Sequence, residues 1–75
     1  MQPKISEMIA KGMKMRNMTR PVDLFKALVD AGYEGTYQTV LNWVDGTNEP
    51  LLKHLVIIAR ALNLPVAFFA GDTTV

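Results

Sequence analysis

Turn-forming and helix-capping residues divide this sequence into short segments, and that division limits the fold more than any other feature. The dividing residues are Asn17, Pro21, Gly32, Thr36, Gly46, Pro50 and Pro65. Between them, apolar residues recur every three or four positions, as on one face of an α-helix. No stretch alternates with the period of two that is typical of a strand. We therefore predict an all-α fold, a compact bundle of four to five short helices.

The chain is short enough to form a single domain, residues 1–75, around one core. It has 75 residues, of which 49% are hydrophobic, and no cysteine. A chain of this length buries only about 60% of its unfolded surface, so modest stability is expected. The absence of cysteine excludes disulfides and fits a reducing cytosol. The apolar runs are shorter than the roughly 18 residues of a membrane span, and no secretory signal is apparent, so a cytoplasmic location is expected.

The first two predicted helices are separated by a short polar turn. The first covers about residues 4–16 and ends at Asn17, a residue type that accepts the left-handed conformation. The second begins at Pro21, with Arg20 as its cap, because a residue before proline avoids helical angles. Gly32 ends this helix. Its predicted buried face consists of Leu24, Phe25, Leu28 and Val29.

The segment TYQTVLNWVDG, residues 36–46, predicts a third helix with an unusual outward face. Thr36 suits the N-cap position, where its hydroxyl accepts a hydrogen bond from the N–H of Thr39. The inward face is predicted to hold Val40, Trp43 and Val44. The outward face holds Gln38, Leu41, Asn42 and Asp45. Amide groups, in place of the lysines and glutamates of an ordinary solvated helix, indicate a surface that contacts a partner.

The fourth helix is predicted to begin at Pro50 and to form the centre of the core. It is so rich in apolar residues that we expect most of it to be buried. The residues concerned are Leu52, Leu55, Val56, Ile58, Ala59 and Leu62. After Pro65, the sequence VAFFAG predicts one more short helix or turn.

The sequence lacks the sets of residues that catalysis and metal binding need. His54 is the only histidine, and it lies in an apolar helix without a second histidine or a cysteine to share a metal. The carboxylates are scattered, and no glycine-rich phosphate loop follows a strand. We predict no enzymatic activity, no metal, no cofactor and no small-molecule ligand.

From residue 18 to residue 69, the order of elements resembles the lambda-repressor/Cro-like helix-turn-helix family, also called xenobiotic-response-element-type regulators. The most specific match is the pattern W-x-x-G-x-x-x-P, formed by Trp43, Gly46 and Pro50. The other matching residues are Thr19, Thr36, Val40, Leu55, Ile58, Ala59 and Leu62. Three features depart from the family. The turn AGYEGT is longer than usual, Arg20 replaces a frequent glutamine, and Val44 stands where an acidic residue is common.

The resemblance implies a helix-turn-helix at about residues 20–45 whose second helix enters the DNA major groove. Base recognition then falls to Tyr37, Gln38, Thr39 and Asn42. Contacts with DNA phosphates fall to Thr19, Arg20, Thr36, Thr47, Asn48 and Lys53. The chemistry agrees, because a side-chain amide can pair bidentately with adenine. Asp45 and Glu49 are expected to point away from phosphates or to weaken binding.

The expected function is that of a transcriptional regulator, a small Cro-like repressor like those of temperate phages, acting in the cytoplasm of a bacterial or phage-infected cell. Because the chain has few cations, we expect a homodimer on a palindromic operator. Its predicted interface is the C-terminal segment 64–75, through Phe68 and Phe69, although burial of one of the pair in the core fits equally well. Two alternatives stay open: an antitoxin that represses its own operon, and an adaptor whose outward face binds a protein instead of DNA.

Overall fold

The computed structural model describes residues 4–69, and these residues form five α-helices without a strand. The helices are α1 (Ile5–Met15), α2 (Pro21–Asp30), α3 (Tyr37–Asp45), α4 (Leu52–Leu62) and α5 (Val66–Phe69). The prediction of an all-α bundle of four to five short helices is confirmed. Across residues 4–69, no helix has the length and apolar character needed to cross a membrane. Residues 70–75, part of the predicted dimer segment, lie outside the described residues.

Three helices end where the sequence predicts. Asn17, Gly32 and Gly46 have positive φ angles of 59°, 107° and 85°, in the left-handed region that ends a helix. The N–H of Met18 donates to the carbonyl of Met13 at 2.9 Å, which satisfies a carbonyl that the end of α1 leaves without a partner. These ends are therefore set by residues next to them in the sequence.

The starts of the helices agree with the sequence in two of three cases. Arg20 is the extended residue before α2, and Thr36 caps α3 by accepting from the N–H of Thr39 at 3.3 Å. The prediction that the fourth helix begins at Pro50 is wrong. The N–H groups of His54 and Leu55 both donate to the carbonyl of Leu51. The first turn of α4 therefore closes on Leu51, and the preceding proline is buried instead.

The core receives side chains from all five helices and from the turn between α2 and α3. Its buried members are Met8, Ile9, Met13, Leu24, Leu28, Tyr33, Val40, Trp43, Ile58, Ala59, Leu62 and Phe69. Helix α2 packs on α3 and α4, α1 packs on α3, and α5 contacts both α1 and α4. The short α5 thus joins the first helix to the fourth.

Phe69, one of the two predicted dimer residues, is fully buried inside the chain. It therefore cannot form an interface with a second copy while this fold is intact, and that part of the prediction is wrong. Phe68 is half-buried, with its ring centroid 5.2 Å from that of Phe69 and at nearly a right angle to it. The physical reason is that α5 turns back onto α1 and α4, which cover one side of it.

Three apolar side chains that the sequence predicts to be buried are exposed. Val29 is 48% exposed, Leu52 69% and Val56 41%. On α4, Ile58 and Leu62 occupy the inward face, and Leu52 and Val56 are left largely in solvent. Apolar residues surround much of α4, and periodicity alone therefore could not identify its buried face.

Arg16 closes the end of α4 from a distant part of the sequence. Its Nε donates to the carbonyl of Leu62 at 2.7 Å, across 46 residues, and its guanidinium also donates to the carbonyl of Asn63 at 3.0 Å. The last carbonyls of a helix lack partners within the helix and carry partial negative charge. Arg16 therefore joins α1 to the end of α4 through charge-assisted hydrogen bonds.

We expect Arg16→Met to lower the free energy of unfolding by about 1–2 kcal/mol, because two carbonyls lose a charged donor while the apolar stem is retained. Urea denaturation followed by Trp43 fluorescence measures this change. Lys14→Met is the matched control: Lys14 is an exposed cation in the last turn of the same helix, and its loss should change stability by less than about 0.5 kcal/mol. Equal losses in the two variants would contradict the capping role.

Candidate nucleic-acid interface

Helix α3 is fixed on one side and open on the other. Val40 and Trp43 are buried on its inner side. All four residues predicted to recognise bases keep solvent-accessible surface: Tyr37 and Gln38 are exposed, and Thr39 and Asn42 are half-buried. The polar face of α3 is therefore partly open to solvent, most of all at Tyr37 and Gln38.

An aromatic cluster holds the inner side of α3. The ring centroid of Trp43 lies 5.5 Å from that of Tyr33 and 5.0 Å from that of His54. Tilted rings at these distances make favourable contacts beyond the burial of their surface. His54 thus packs against the core. Within residues 4–69, no three potential ligand side chains are placed to hold a metal ion.

The longer turn between α2 and α3 places Tyr33 in the core. The Tyr33 side chain is buried, and its hydroxyl donates to the carbonyl of Thr36 at 3.2 Å. Its ring lies directly against Gly35, where an added Cβ would overlap the hydroxyl and the ring. The additional turn length therefore accommodates an aromatic side chain that supports Thr36, the residue that caps α3. Tyr33 is the one large apolar residue of the turn AGYEGT, and this is the signal from which its burial could be predicted.

Tyr37, at the start of α3, contacts α2. Its ring centroid lies 5.3 Å from that of Phe25, at an interplanar angle of 56°. Phe25 also meets Tyr33 edge-on, with 6.4 Å between centroids. Phe25 therefore links the turn to the first residue of α3, and the Tyr37 ring is partly supported while it remains exposed.

Thr36 and Thr39 bond to each other at the start of α3. The Thr36 hydroxyl accepts from the backbone N–H of Thr39, and the two hydroxyl oxygens are 3.0 Å apart. The capping role of Thr36, predicted from sequence, is confirmed. Helix geometry leaves the N–H groups of Tyr37 and Gln38 without acceptors inside the helix. They are suitable donors to an anionic ligand such as a phosphate.

Gln38 and Asn42, one helical turn apart, are joined by a hydrogen bond. The Nε2 of Gln38 donates to Oδ1 of Asn42 at 3.1 Å. Such a pair on a helix surface stabilises the helix only slightly, by about 0.2–0.5 kcal/mol. Its larger effect is to orient both amides.

Asp45 and Thr47 bond to each other at the end of α3. The carboxylate of Asp45 accepts from the Thr47 N–H at 2.8 Å. Hydrogen bonds from the Thr47 side chain and backbone lower the pKa of Asp45 below its ordinary value. The carboxylate is therefore charged at neutral pH and directed at the loop. Thr47 is one of the residues predicted to contact a phosphate, and its N–H donates to Asp45 instead.

The remaining residues predicted to contact phosphates are all exposed, but they lie in separate places. Lys53 lines a groove of about 430 Å³ together with Thr39, His54 and the turn before α3. Asn48 lines another groove, of about 230 Å³, beside the start of α1. Lys53 is therefore near the start of α3, whereas Asn48 lies between α1 and the end of α3, where its N–H donates to the carbonyl of Asn42 at 3.2 Å.

Thr19 and Arg20 stand before the first turn of α2. The guanidinium of Arg20 lies 3.4 Å from the carboxylate of Asp23, which also accepts from the Arg20 N–H at 3.2 Å. An exposed ion pair of this kind is worth about 0–1 kcal/mol and is easily exchanged for another anion. The exposed guanidinium of Arg20 keeps its other N–H donors for a phosphate.

Comparisons of this chain with protein-family models, with curated proteins and with solved structures found no match. Its function must therefore be inferred from its own residues and geometry.

Proposed function

We propose that this protein is a sequence-specific DNA-binding transcriptional regulator of the lambda-repressor/Cro-like helix-turn-helix type. One observation carries the proposal: the polar face of α3 presents the exposed Tyr37 and Gln38 and the half-buried Asn42 on a helix that the core holds in place. This helix has nine residues, so it is about 13 Å long. With its side chains an α-helix is about 10–12 Å in diameter, so α3 fits the major groove, which is about 12 Å wide.

The chemistry of this face suits base edges better than it suits phosphates. A side-chain amide offers one acceptor and donors in a plane, and can pair bidentately with adenine. The ring of Tyr37 can contact the methyl group of thymine. Phosphates would be bound by the N–H groups at the start of α3 and by Lys53, in the neighbouring groove.

One copy of the chain would bind DNA weakly. Its net charge is only +1, and affinity from phosphate contacts grows with the number of cations engaged. A homodimer on a palindromic operator, with half-sites about 34–36 Å apart, doubles those contacts. The half-buried Phe68 remains a candidate for the interface. We therefore propose a small dimeric repressor that acts in the cytoplasm.

A second proposal, protein binding, is favoured by the apolar surface at the start of α4. Leu51, Leu52 and Val56 are exposed, and clustered exposed apolar side chains are typical of protein interaction sites. An antitoxin would combine this surface with DNA binding, whereas an adaptor would bind only protein. Absence of DNA binding at low salt would favour the adaptor over both other proposals.

Random-sequence DNA selection with the purified chain tests the main proposal, because it detects binding, the preferred site and the half-site spacing together. We expect Gln38→Ala to lose about 1–3 kcal/mol of discrimination at the base pair that Gln38 contacts. Arg20→Ala should instead weaken binding to all sequences alike and reduce the salt slope by about one unit.

Lys26→Ala is the matched control for the loss of a cation. Lys26 is exposed in the middle of α2 and is not among the predicted contacts, so its removal should leave the salt slope unchanged. If Gln38→Ala and Arg20→Ala affect selected and random DNA equally, the role of Gln38 in base recognition is refuted.

A further inference from the structure

The hydrogen bond between Gln38 and Asn42 has a direction, and that direction limits what each amide can still bind. Nε2 of Gln38 is the donor and Oδ1 of Asn42 is the acceptor, 3.1 Å apart. On the polar face of α3, Gln38 is exposed and Asn42 is half-buried. Within residues 4–69, the two side-chain amides have no other described hydrogen bond, so this contact alone orients them.

Gln38 keeps one donor and one free acceptor for a ligand. One of its two N–H hydrogens is used by Asn42, which leaves the other N–H and the carbonyl oxygen Oε1. Adenine presents one acceptor, N7, beside one donor, the N6 amino group, in the major groove. The groups that remain on Gln38 are therefore complementary to adenine.

Asn42 keeps a different set of groups. Its oxygen is turned toward Gln38, so its NH₂ group, with two donor hydrogens, points away from the bond. Guanine presents two acceptors, N7 and O6, whereas cytosine presents only an amino donor. A side chain that offers two donors should accept guanine and reject cytosine.

We propose, on the basis of the DNA-binding function above, that Gln38 and Asn42 act as one recognition unit of fixed polarity. Gln38 binds adenine, and Asn42 binds guanine at a nearby base pair. Four residues of helix rise about 6 Å, against about 3.4 Å for one base step. The two base pairs are therefore neighbours or one step further apart. The identity of residue 38 sets the preference at a base that residue 38 does not touch.

Random-sequence selection with the full-length chain and its variants tests this coupling. Asn42→Ala first identifies the base pair that Asn42 contacts, as the position where guanine preference is lost. Gln38→Met then removes both hydrogen-bonding groups without changing charge and with little change in length. We expect it to abolish adenine preference at the base pair that residue 38 contacts. It should also reduce guanine preference at the base pair that Asn42 contacts by about threefold or more, because the Asn42 amide can rotate once its hydrogen bond to residue 38 is lost.

Gln38→Glu tests the polarity. A carboxylate only accepts, so the NH₂ of Asn42 should turn toward it and expose Oδ1 to the groove. The preference at the Asn42 position should then move from guanine toward a base with an amino donor, cytosine or adenine, by about tenfold. Because the added negative charge can weaken binding to DNA, the uncharged methionine variant decides the result if the glutamate variant selects nothing.

The outcomes separate this inference from the proposed function. Enrichment of no site by the wild-type chain would refute DNA binding itself. In a second outcome, Gln38→Met still enriches a site in which the base pair contacted by residue 38 loses its preference and the base pair contacted by Asn42 keeps it. That result would leave DNA binding intact and overturn the coupling. Joint changes at both positions would support it.

Discussion

Replacing Phe69 with alanine is expected to remove about 3–5 kcal/mol from the free energy of unfolding, the range for large aromatic side chains in protein cores. Phe69 is fully buried, and the helix that carries it contacts both α1 and α4. A chain of this size has a total stability of about 4–11 kcal/mol. The substitution should therefore remove a large part of the total stability of the protein.

Phe68→Ala is the matched control, because Phe68 is the adjacent residue on the same helix but only half-buried. We expect it to lower the free energy of unfolding by about 1–2 kcal/mol, since less apolar surface returns to water. Urea denaturation at several protein concentrations measures both variants. If the predicted interface includes Phe68, its substitution will also reduce the concentration dependence of unfolding.

A different result would show that Phe69 belongs to a subunit interface instead of the core. In that case Phe69→Ala would stay folded at high protein concentration and lose stability only on dilution. The wild-type chain would show the same dependence more weakly.

Gly35→Ala is expected to destabilise the protein by about 3 kcal/mol, the upper end of the range for overpacked interiors. The added methyl group would overlap the ring and hydroxyl of Tyr33. Tyr33 cannot move aside easily, because Phe25, Trp43 and His54 contact its ring. The strain would also disturb the hydrogen bond from Tyr33 to Thr36, and with it the start of α3.

A double-mutant cycle shows whether the effect comes from this contact. In a Tyr33→Ala background, which is itself destabilised by about 3–5 kcal/mol, Gly35→Ala should become neutral or slightly stabilising, because alanine restricts the unfolded chain more than glycine does. Denaturant titration of all four chains measures the coupling.

Gly32→Ala in the same turn is the control for the cycle. Gly32 has a φ of 107°, and no atom lies within 4 Å of an added Cβ. Its substitution should destabilise the protein through backbone strain alone, equally with and without Tyr33. If Gly35→Ala also destabilises the protein equally with and without Tyr33, the proposed steric cause is ruled out.

The sequence by itself determined where most helices begin and end, because capping depends on residues within one turn of each other. Thr36 accepts from Thr39, three positions away, and Asn17, Gly32 and Gly46 take conformations that few other residues tolerate. The sequence also predicted which side of α3 is polar. A helix turns 100° per residue, so the buried Val40 and Trp43 place Gln38 and Asn42 on the other side.

Only the tertiary structure decided which apolar residues the core includes. Leu52 and Ile58 are alike in hydrophobicity, and so are Phe68 and Phe69, yet one member of each pair is buried and the other is not. Periodicity cannot choose between them, because apolar residues lie around most of α4 and α5.

Contacts between distant residues were also decided by packing. Arg16 meets the end of α4 across 46 residues, and Tyr33 enters the core through the side chains of three different helices. Local sequence determines backbone conformation through neighbouring atoms, whereas burial depends on which helices lie alongside one another. In a chain this small, there are too few helices to cover every apolar face, so their arrangement alone determines which faces remain in water.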